Sequence, residues 1–206
     1  MHIGIVGTGS VAKALAEGWK QRHDIVLTSR HPEGKSGLPA PVKGFAALSD
    51  VDLVVNATPG ATSVESLRQA GAATWGNKVL LDAGNAITPT FDLVYPNASL
   101  AAAIQAAFPA TRVVKALNTF NISVMTEPQA LPAPSAAFVS GNDAAARALV
   151  VDLHRDLGWP DDSIIDLGEL DGARAQEHHF MMMFALMRKF GTPTVNIAVV
   201  AKPSGA

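Results

Sequence analysis

The chain contains no cysteine. Disulfides, thiolate metal sites, iron–sulfur clusters and cysteine nucleophiles are therefore excluded, and any redox chemistry must belong to a bound cofactor. Charge is sparse as well: charged residues make up 17% of the chain, and 16 basic against 18 acidic side chains leave a net charge of -2. That balance lacks the basic footprint of a nucleic-acid binder. Long hydrophobic runs are missing too. The most apolar stretch, Phe180 to Met187, is bounded by Glu177, His178 and His179 before it and by Arg188 and Lys189 after it, far too short a run to span a bilayer. A first apolar strand beginning at His2 leaves no room for a leader with a charged region, an apolar region and a cleavage site, so a cytoplasmic location is expected. A length of 206 residues suits one domain, or one domain with a small appendage, and allows a substantial core.

What is present begins at the first turn. The apolar strand Ile3-Gly4-Ile5-Val6 runs into Gly7-Thr8-Gly9-Ser10-Val11-Ala12, a G-x-G-x-x-A turn followed by small and apolar residues at helical spacing as far as Gln21. In such a turn the first glycine bends the chain, the second admits a pyrophosphate to the backbone, and the third small residue lets helix pack on strand. The following helix offers unpaired N–H groups and a positive dipole end to the phosphates. Asp24 opens the next strand, which ends Thr28-Ser29-Arg30 with no carboxylate. An NAD site would place an acid roughly twenty residues beyond the turn, whereas a cation there suits a 2'-phosphate. The cofactor expected is NADP. Lys35, in the Pro/Gly/Lys/Ser-rich segment from His31 to Pro41, could add a second cation, but a solvated side chain is the simpler reading.

Strands and helices then alternate. Strands are expected at 42–45, 52–57, 78–82, 112–117, 136–140 and 163–167, with a helix over 62–74, an alanine-rich helix over 99–108, a helix capped by Asp143 and running to Leu157, and the longest helix over 172–190. Asn196 to Val200 reads as a terminal edge strand, and Pro128, Pro132 and Pro134 mark a long loop. The fold class is α/β, a doubly wound, mostly parallel Rossmann sheet. Residues 1–168 are read as the NADP-binding domain and residues 169–206 as a helix and edge strand covering the pocket within the same unit. The only low-complexity tail is Lys202 to Ala206. In such sheets ligands bind beyond the carboxyl ends of the strands, which here are the Gly7 turn, Ser29-Arg30, Thr58-Pro59-Gly60, Gly84-Asn85 and Asn118-Thr119.

Several candidates weaken on inspection. His178 and His179 are helix neighbours about 100° apart and share no face, so no metal site is assigned. Met181 to Met187 suits a monomer's core or a homodimer interface. Asn85 and Asn118 could be turn formers or cofactor contacts. The single tyrosine, Tyr95, has Ser99 four residues on, where short-chain dehydrogenases need lysine. No acid–base pair stands out, and no catalytic residue is assigned. Hydride transfer between two rings held at contact distance needs positioning above all.

Together Gly7 to Ala12, Ser29-Arg30, Thr58-Pro59, Val114 to Thr119, Val139 to Asp143 and Ile165 to Leu170 make a pattern that covers most of the chain. It resembles the NADP-dependent oxidoreductases typified by the deazaflavin coenzyme F420 reductases of archaea and actinobacteria. The resemblance implies that Thr8, Ser29 and Arg30 hold the 2'-phosphate, that the backbone of Ser10 and Val11 meets the pyrophosphate, that Thr58 and Pro59 flank the dinucleotide, and that Asn118 and Thr119 lie near the nicotinamide and a second ring. It also implies a small C-terminal portion, Glu169 to Phe190, covering the hydride-transfer pocket. Two departures stand out: the archaeal enzymes carry histidine where Asn118 stands, and residues 86–110 form an insertion. The Asn118 to Ser123 run is similar to the NADPH-binding heads of membrane ferric reductases, which pass hydride to flavin. The activity expected is hydride transfer between NADP(H) and a deazaflavin such as coenzyme F420, or a flavin. The alternatives are an NADPH-dependent reductase of a small organic substrate and a non-catalytic NADP(H) sensor.

Overall fold

Eight strands form a single sheet in the order β3-β2-β1-β4-β5-β6-β7-β8. They are β1 His2–Val6, β2 Asp24–Thr28, β3 Val42–Lys43, β4 Leu53–Asn56, β5 Val79–Asp82, β6 Arg112–Ala116, β7 Ala137–Gly141 and β8 Ile164–Asp166. The computed structural model describes residues 1–202, so the tail from Pro203 to Ala206 lies outside the described residues. Strands β1 to β6 run parallel, β7 is antiparallel to β6, and β8 is parallel to β7. The apolar runs of β1, β4, β5 and β6 are buried almost throughout, as expected of parallel strands covered on both faces. Strand order reverses between β1 and β4, which opens the crevice where open α/β sheets take ligands.

Helices fill both faces. On one, α1 (Ser10–Trp19) buries Ala12, Leu15, Ala16 and Trp19, and α5 (Ala144–Asp156) buries Ala146, Val150, Leu153 and His154. The short α4 (Ile122–Met125) completes that layer with Val124 and Met125. On the other face lie α2 (Ser63–Gln69), α3 (Leu100–Ala107) and the start of α6 (Gly172–Phe190), around a core containing Leu67, Leu100, Ile104, Leu170 and Ala173. Ser99 and Asp143 cap α3 and α5 by accepting from the N–H of Ala102 and Ala146. Each fully buried Leu, Ile or Val contributes about 1.5–3 kcal/mol, so these two layers carry the fold.

Three expectations change. The helix read over 62–74 is α2 followed by a separate 3-10 turn at Ala72–Thr74. The proline-rich loop contains α4 and a 3-10 turn at Pro128–Ala130. Residues 196–200 form no strand: β8 already occupies the edge beside β7, so the tail can only cross the start of β7. There Ala136 N–H donates to Ile197 O at 2.8 Å, and the Asn196 side-chain amide donates to Ser135 Oγ and Ala136 O, each at 3.0 Å. Among the described residues no helix is long and apolar enough to cross a membrane.

Candidate functional site

A cleft of about 550 Å³ opens at the switch point. It is lined by Gly7 to Val11 after β1, by Thr28, Ser29 and Arg30 at the end of β2, and by Thr58, Pro59 and Thr62 after β4. Gly7 has φ +126°, and a Cβ there would meet Ala57 O at 2.7 Å, so only glycine makes this turn. A Cβ on Gly9 would meet nothing within 4 Å, which leaves its backbone open to the cleft. No side chain caps α1, and its first turn holds no acid. Its first N–H groups are thereby left for an anion, in contrast to the capped α3 and α5. The residues present fit a dinucleotide pyrophosphate.

Two cations stand at this cleft or at its edge. Arg30 lines the cleft, and Lys35 Nζ donates to Thr8 Oγ1 at 3.3 Å. Lys35 therefore reaches back from the loop after β2, which no spacing rule for a Pro/Gly-rich segment could foretell. Ser29 Oγ is engaged locally, donating to His31 O and accepting from its N–H, each at 3.2 Å.

Asn85, Asn118 and Thr119 lie outside this cleft and form a second cluster beyond β5 and β6. Gly60 joins the two: a Cβ there would meet Asn85 O at 2.1 Å, so the turn after β4 packs directly on the backbone of the turn after β5. Asn85 Nδ2 donates to Asn118 O at 2.7 Å, and Asn118 Nδ2 donates to Asn85 Oδ1 at 3.0 Å. The backbone carbonyl settles both amide orientations, because it can only accept. Asn118 Oδ1 is left buried with no protein partner. Leu117, just before it, has φ 61°, a left-handed conformation costly for leucine that often marks a functional strand end. Thr119 is buried beside it.

Under these turns runs a polar row that sequence reading missed. Asn56, Asp82, Lys115 and Ser140 are register partners across β4, β5, β6 and β7, all with no exposed surface. Asn56 Nδ2 donates to Asp82 Oδ1 at 2.8 Å, and Lys115 Nζ lies 2.9 Å from both Asp82 Oδ2 and Glu177 Oε1. Glu177, from α6, also accepts from the N–H of Leu100 at 2.8 Å and of Ala101 at 3.3 Å, at the start of α3. Gln176 Nε2 bonds Ser140 Oγ, and Thr58 Oγ1 donates to Asn56 Oδ1 at 2.7 Å. Burial alone would depress the Lys115 ammonium, but the Asp82 and Glu177 carboxylates override it and hold its pKa above the ordinary value. The one hint in the sequence was a polar residue at or one place before the end of each apolar strand.

The two histidines of α6 do not act together. His178 Nδ1 lies 2.8 Å from Arg174 O and its Nε2 3.0 Å from Pro96 O, whereas His179 packs edge-on to Phe138 and burial lowers its pKa. Phe184 packs on Phe91 with ring centroids 4.0 Å apart, which ties the second half of α6 to the insertion.

Sheet order, glycine turn and uncapped α1 define a Rossmann-type dinucleotide-binding protein. Residues 2–86 match the family described as NADP oxidoreductase, coenzyme F420-dependent. The chain is similar over 97% of its length to a provisionally assigned F420-dependent NADP reductase from Arthrobacter sp. FB24, with 33% identity, 99% coverage of that chain and a TM-score of 0.89. A hypothetical protein from Sinorhizobium meliloti is 25% identical over 98% of this chain and 96% of its own, with a TM-score of 0.69. An imine reductase from Bacillus cereus, 14% identical, shares the fold over 92% of this chain and 62% of its own, with a TM-score of 0.67. This chain belongs to the coenzyme F420-dependent NADP oxidoreductase family and is an NADP-dependent oxidoreductase.

Proposed function

We propose that the protein transfers a hydride between NADP(H) and a second ring, a deazaflavin of the coenzyme F420 type or a flavin. The observation that carries this reading is the pair of asparagine turns beyond β5 and β6, which leaves one buried amide acceptor, Asn118 Oδ1, beside the dinucleotide cleft. In this reading Gly7, Gly9 and the N–H groups of Ser10 and Val11 seat the pyrophosphate, and Thr58 and Pro59 flank it. Thr8, Ser29, Arg30 and Lys35 surround the 2'-phosphate, two of them as cations. When bound, NADPH supplies the hydride from C4 of its nicotinamide.

The chain's own part is orientation and exclusion of water. Asn118 Oδ1 takes an amide N–H, from the nicotinamide carboxamide or from the second ring, and Thr119 backs it. The fragment from Glu169 onward, chiefly α6, covers the pocket, while residues 1–168 hold the dinucleotide. Asn85 and Asn118 are amides that can orient a ring but cannot exchange a proton near neutral pH, which fits a transfer needing geometry more than acid–base help.

The test is to mix protein and NADPH with coenzyme F420, and separately with flavin mononucleotide, and follow NADPH absorbance. Turnover with one of them is expected. Tight NADPH binding with turnover of neither would turn the reading to a reductase of a small organic substrate or to a sensor.

A further inference from the structure

Lys115 is fully buried, yet its ammonium is spent on a turn. Its three hydrogens meet three acceptors: Asp82 Oδ2, Glu177 Oε1 and the carbonyl of Gly84. Gly84 is held from its other side as well, since its N–H donates to Asp82 Oδ1 at 3.1 Å. The Gly84 backbone is thus clamped at both N–H and C=O by one ion pair. Asn85 comes next, and it bonds Asn118 through both its side-chain oxygen and its nitrogen. The ammonium therefore sets the turn after β5, and that turn sets the side chain after β6.

Stability is a poor reason for a charge in this place. A buried ion pair forfeits hydration that an apolar side chain would not, and apolar replacements of such groups are often as stable or more so. An apolar residue at 115 would, however, leave the Gly84 carbonyl with no donor and the turn free to move. We infer that Lys115 is a positioning residue for the nicotinamide half of the site: it fixes the Gly84–Asn85 turn before a dinucleotide arrives and, through Asn85, aims the free Oδ1 of Asn118. The inference rests on the NADP(H) reading above. Glu177 anchors α6, the proposed cover, on the same ammonium. The proposed 2'-phosphate and glycine-turn residues are held separately, because among the described residues Gly7 to Val11, Ser29, Arg30 and Lys35 make no hydrogen bond to Lys115, Asp82 or Gly84, and the network reaches the cleft only at Thr58, through Asn56.

Two ligands separate the halves: NADPH spans both, whereas 2',5'-ADP carries only the phosphorylated adenosine. Two variants are needed, Lys115→Met and Lys115→Met with Glu177→Gln, since the first leaves two buried carboxylates without a cation and could unfold. In the second, the substitution Glu177→Gln retains a side-chain oxygen that can accept from Leu100 N–H. Calorimetric titration is expected to show NADPH bound about tenfold more weakly by the folded variants, the worth of one hydrogen bond from a neutral amide to a correctly aimed Asn118 Oδ1. The affinity for 2',5'-ADP is expected to stay within about twofold of wild type. Unchanged NADPH binding, or a parallel loss of both ligands, overturns the inference. Failure of the wild type to bind either ligand overturns the NADP(H) reading instead. Hydrogen–deuterium exchange on the wild type supplies a measurement that needs no variant: residues 83–87 should be protected without ligand, and fast exchange that slows only with NADPH would also overturn it.

Discussion

Lys35 Nζ lies 3.3 Å from the Thr8 hydroxyl, so the loop after β2 closes back on the glycine turn after β1. Thr8 and Arg30 both line one cleft, so Lys35 brings a second cation to its edge. Thermal stabilisation by NADP should exceed that by NAD, since bound ligand adds stability in proportion to its affinity. Arg30→Ala should cut the preference for NADP by about tenfold or more, the worth of a charge-assisted contact to a phosphate. Lys35→Ala should cut it less, since an exposed ammonium is well solvated when free. Equal responses to NADP and NAD in the wild type would remove the 2'-phosphate from the reading.

Two glycines of the cleft should behave in opposite ways. At Gly60 a methyl would press on Asn85 O, Asn85 C and Ala86 N at 2.1, 2.3 and 2.6 Å, all of them backbone. Gly60→Ala should lower stability by about 1–3 kcal/mol, the usual cost of overpacking, seen as a lower Tm. At Gly9 a methyl would meet open space, so Gly9→Ala should hold stability within about 0.5 kcal/mol while it weakens NADPH binding. A Gly9→Ala variant that binds NADPH like wild type would mean that the pyrophosphate does not approach this turn.

What the chain reveals before folding depends on range. The apolar runs around Ile5, Val55, Leu81 and Val114 announce the strands, and Gly7, Gly9 and Arg30 announce the cleft they line, because each signal is local. Asn56, Asp82, Lys115 and Ser140 look alike in sequence as polar residues at or next to the ends of apolar strands, and only the sheet register sets them in a row. Glu177 reads as the polar border of a methionine-rich stretch, yet its partner Leu100 is 77 positions away. The apolar, β-branched run in Asn196 to Val200 misleads for the opposite reason: it has strand character, but β8 has taken the place it would need.

Asn118 is a direct test of the nicotinamide half. Its Oδ1 is buried and unpaired while its Nδ2 is held by Asn85. Asn118→Ala removes the acceptor and one supporting bond, and should weaken NADPH binding or slow its oxidation about fivefold to tenfold, the worth of one hydrogen bond. The adenosine contacts are untouched, so binding of 2',5'-ADP should persist. A variant with wild-type turnover would mean that this oxygen meets no ligand group.

His154 should make the fold acid-sensitive. Its ring is completely buried on α5, Nδ1 sits 2.8 Å from Val150 O, and Nε2 has no partner. Burial pushes its pKa down from 6.5 to about 4, against the smaller upward pull of the Val150 carbonyl. The unfolded chain binds a proton below 6.5 that the native state refuses until about 4. Stability from this residue is therefore complete above 6.5, falls as pH drops through that window, and is lost once both states are charged. The span corresponds to about 3 kcal/mol, enough to matter against a typical stability of about 5–15 kcal/mol. Denaturant titrations of wild type and His154→Leu across this range isolate the effect, because other titrating groups are common to both. The wild-type curve should fall more steeply on acidification; parallel curves would show that the imidazole is not excluded from protonation in the native state.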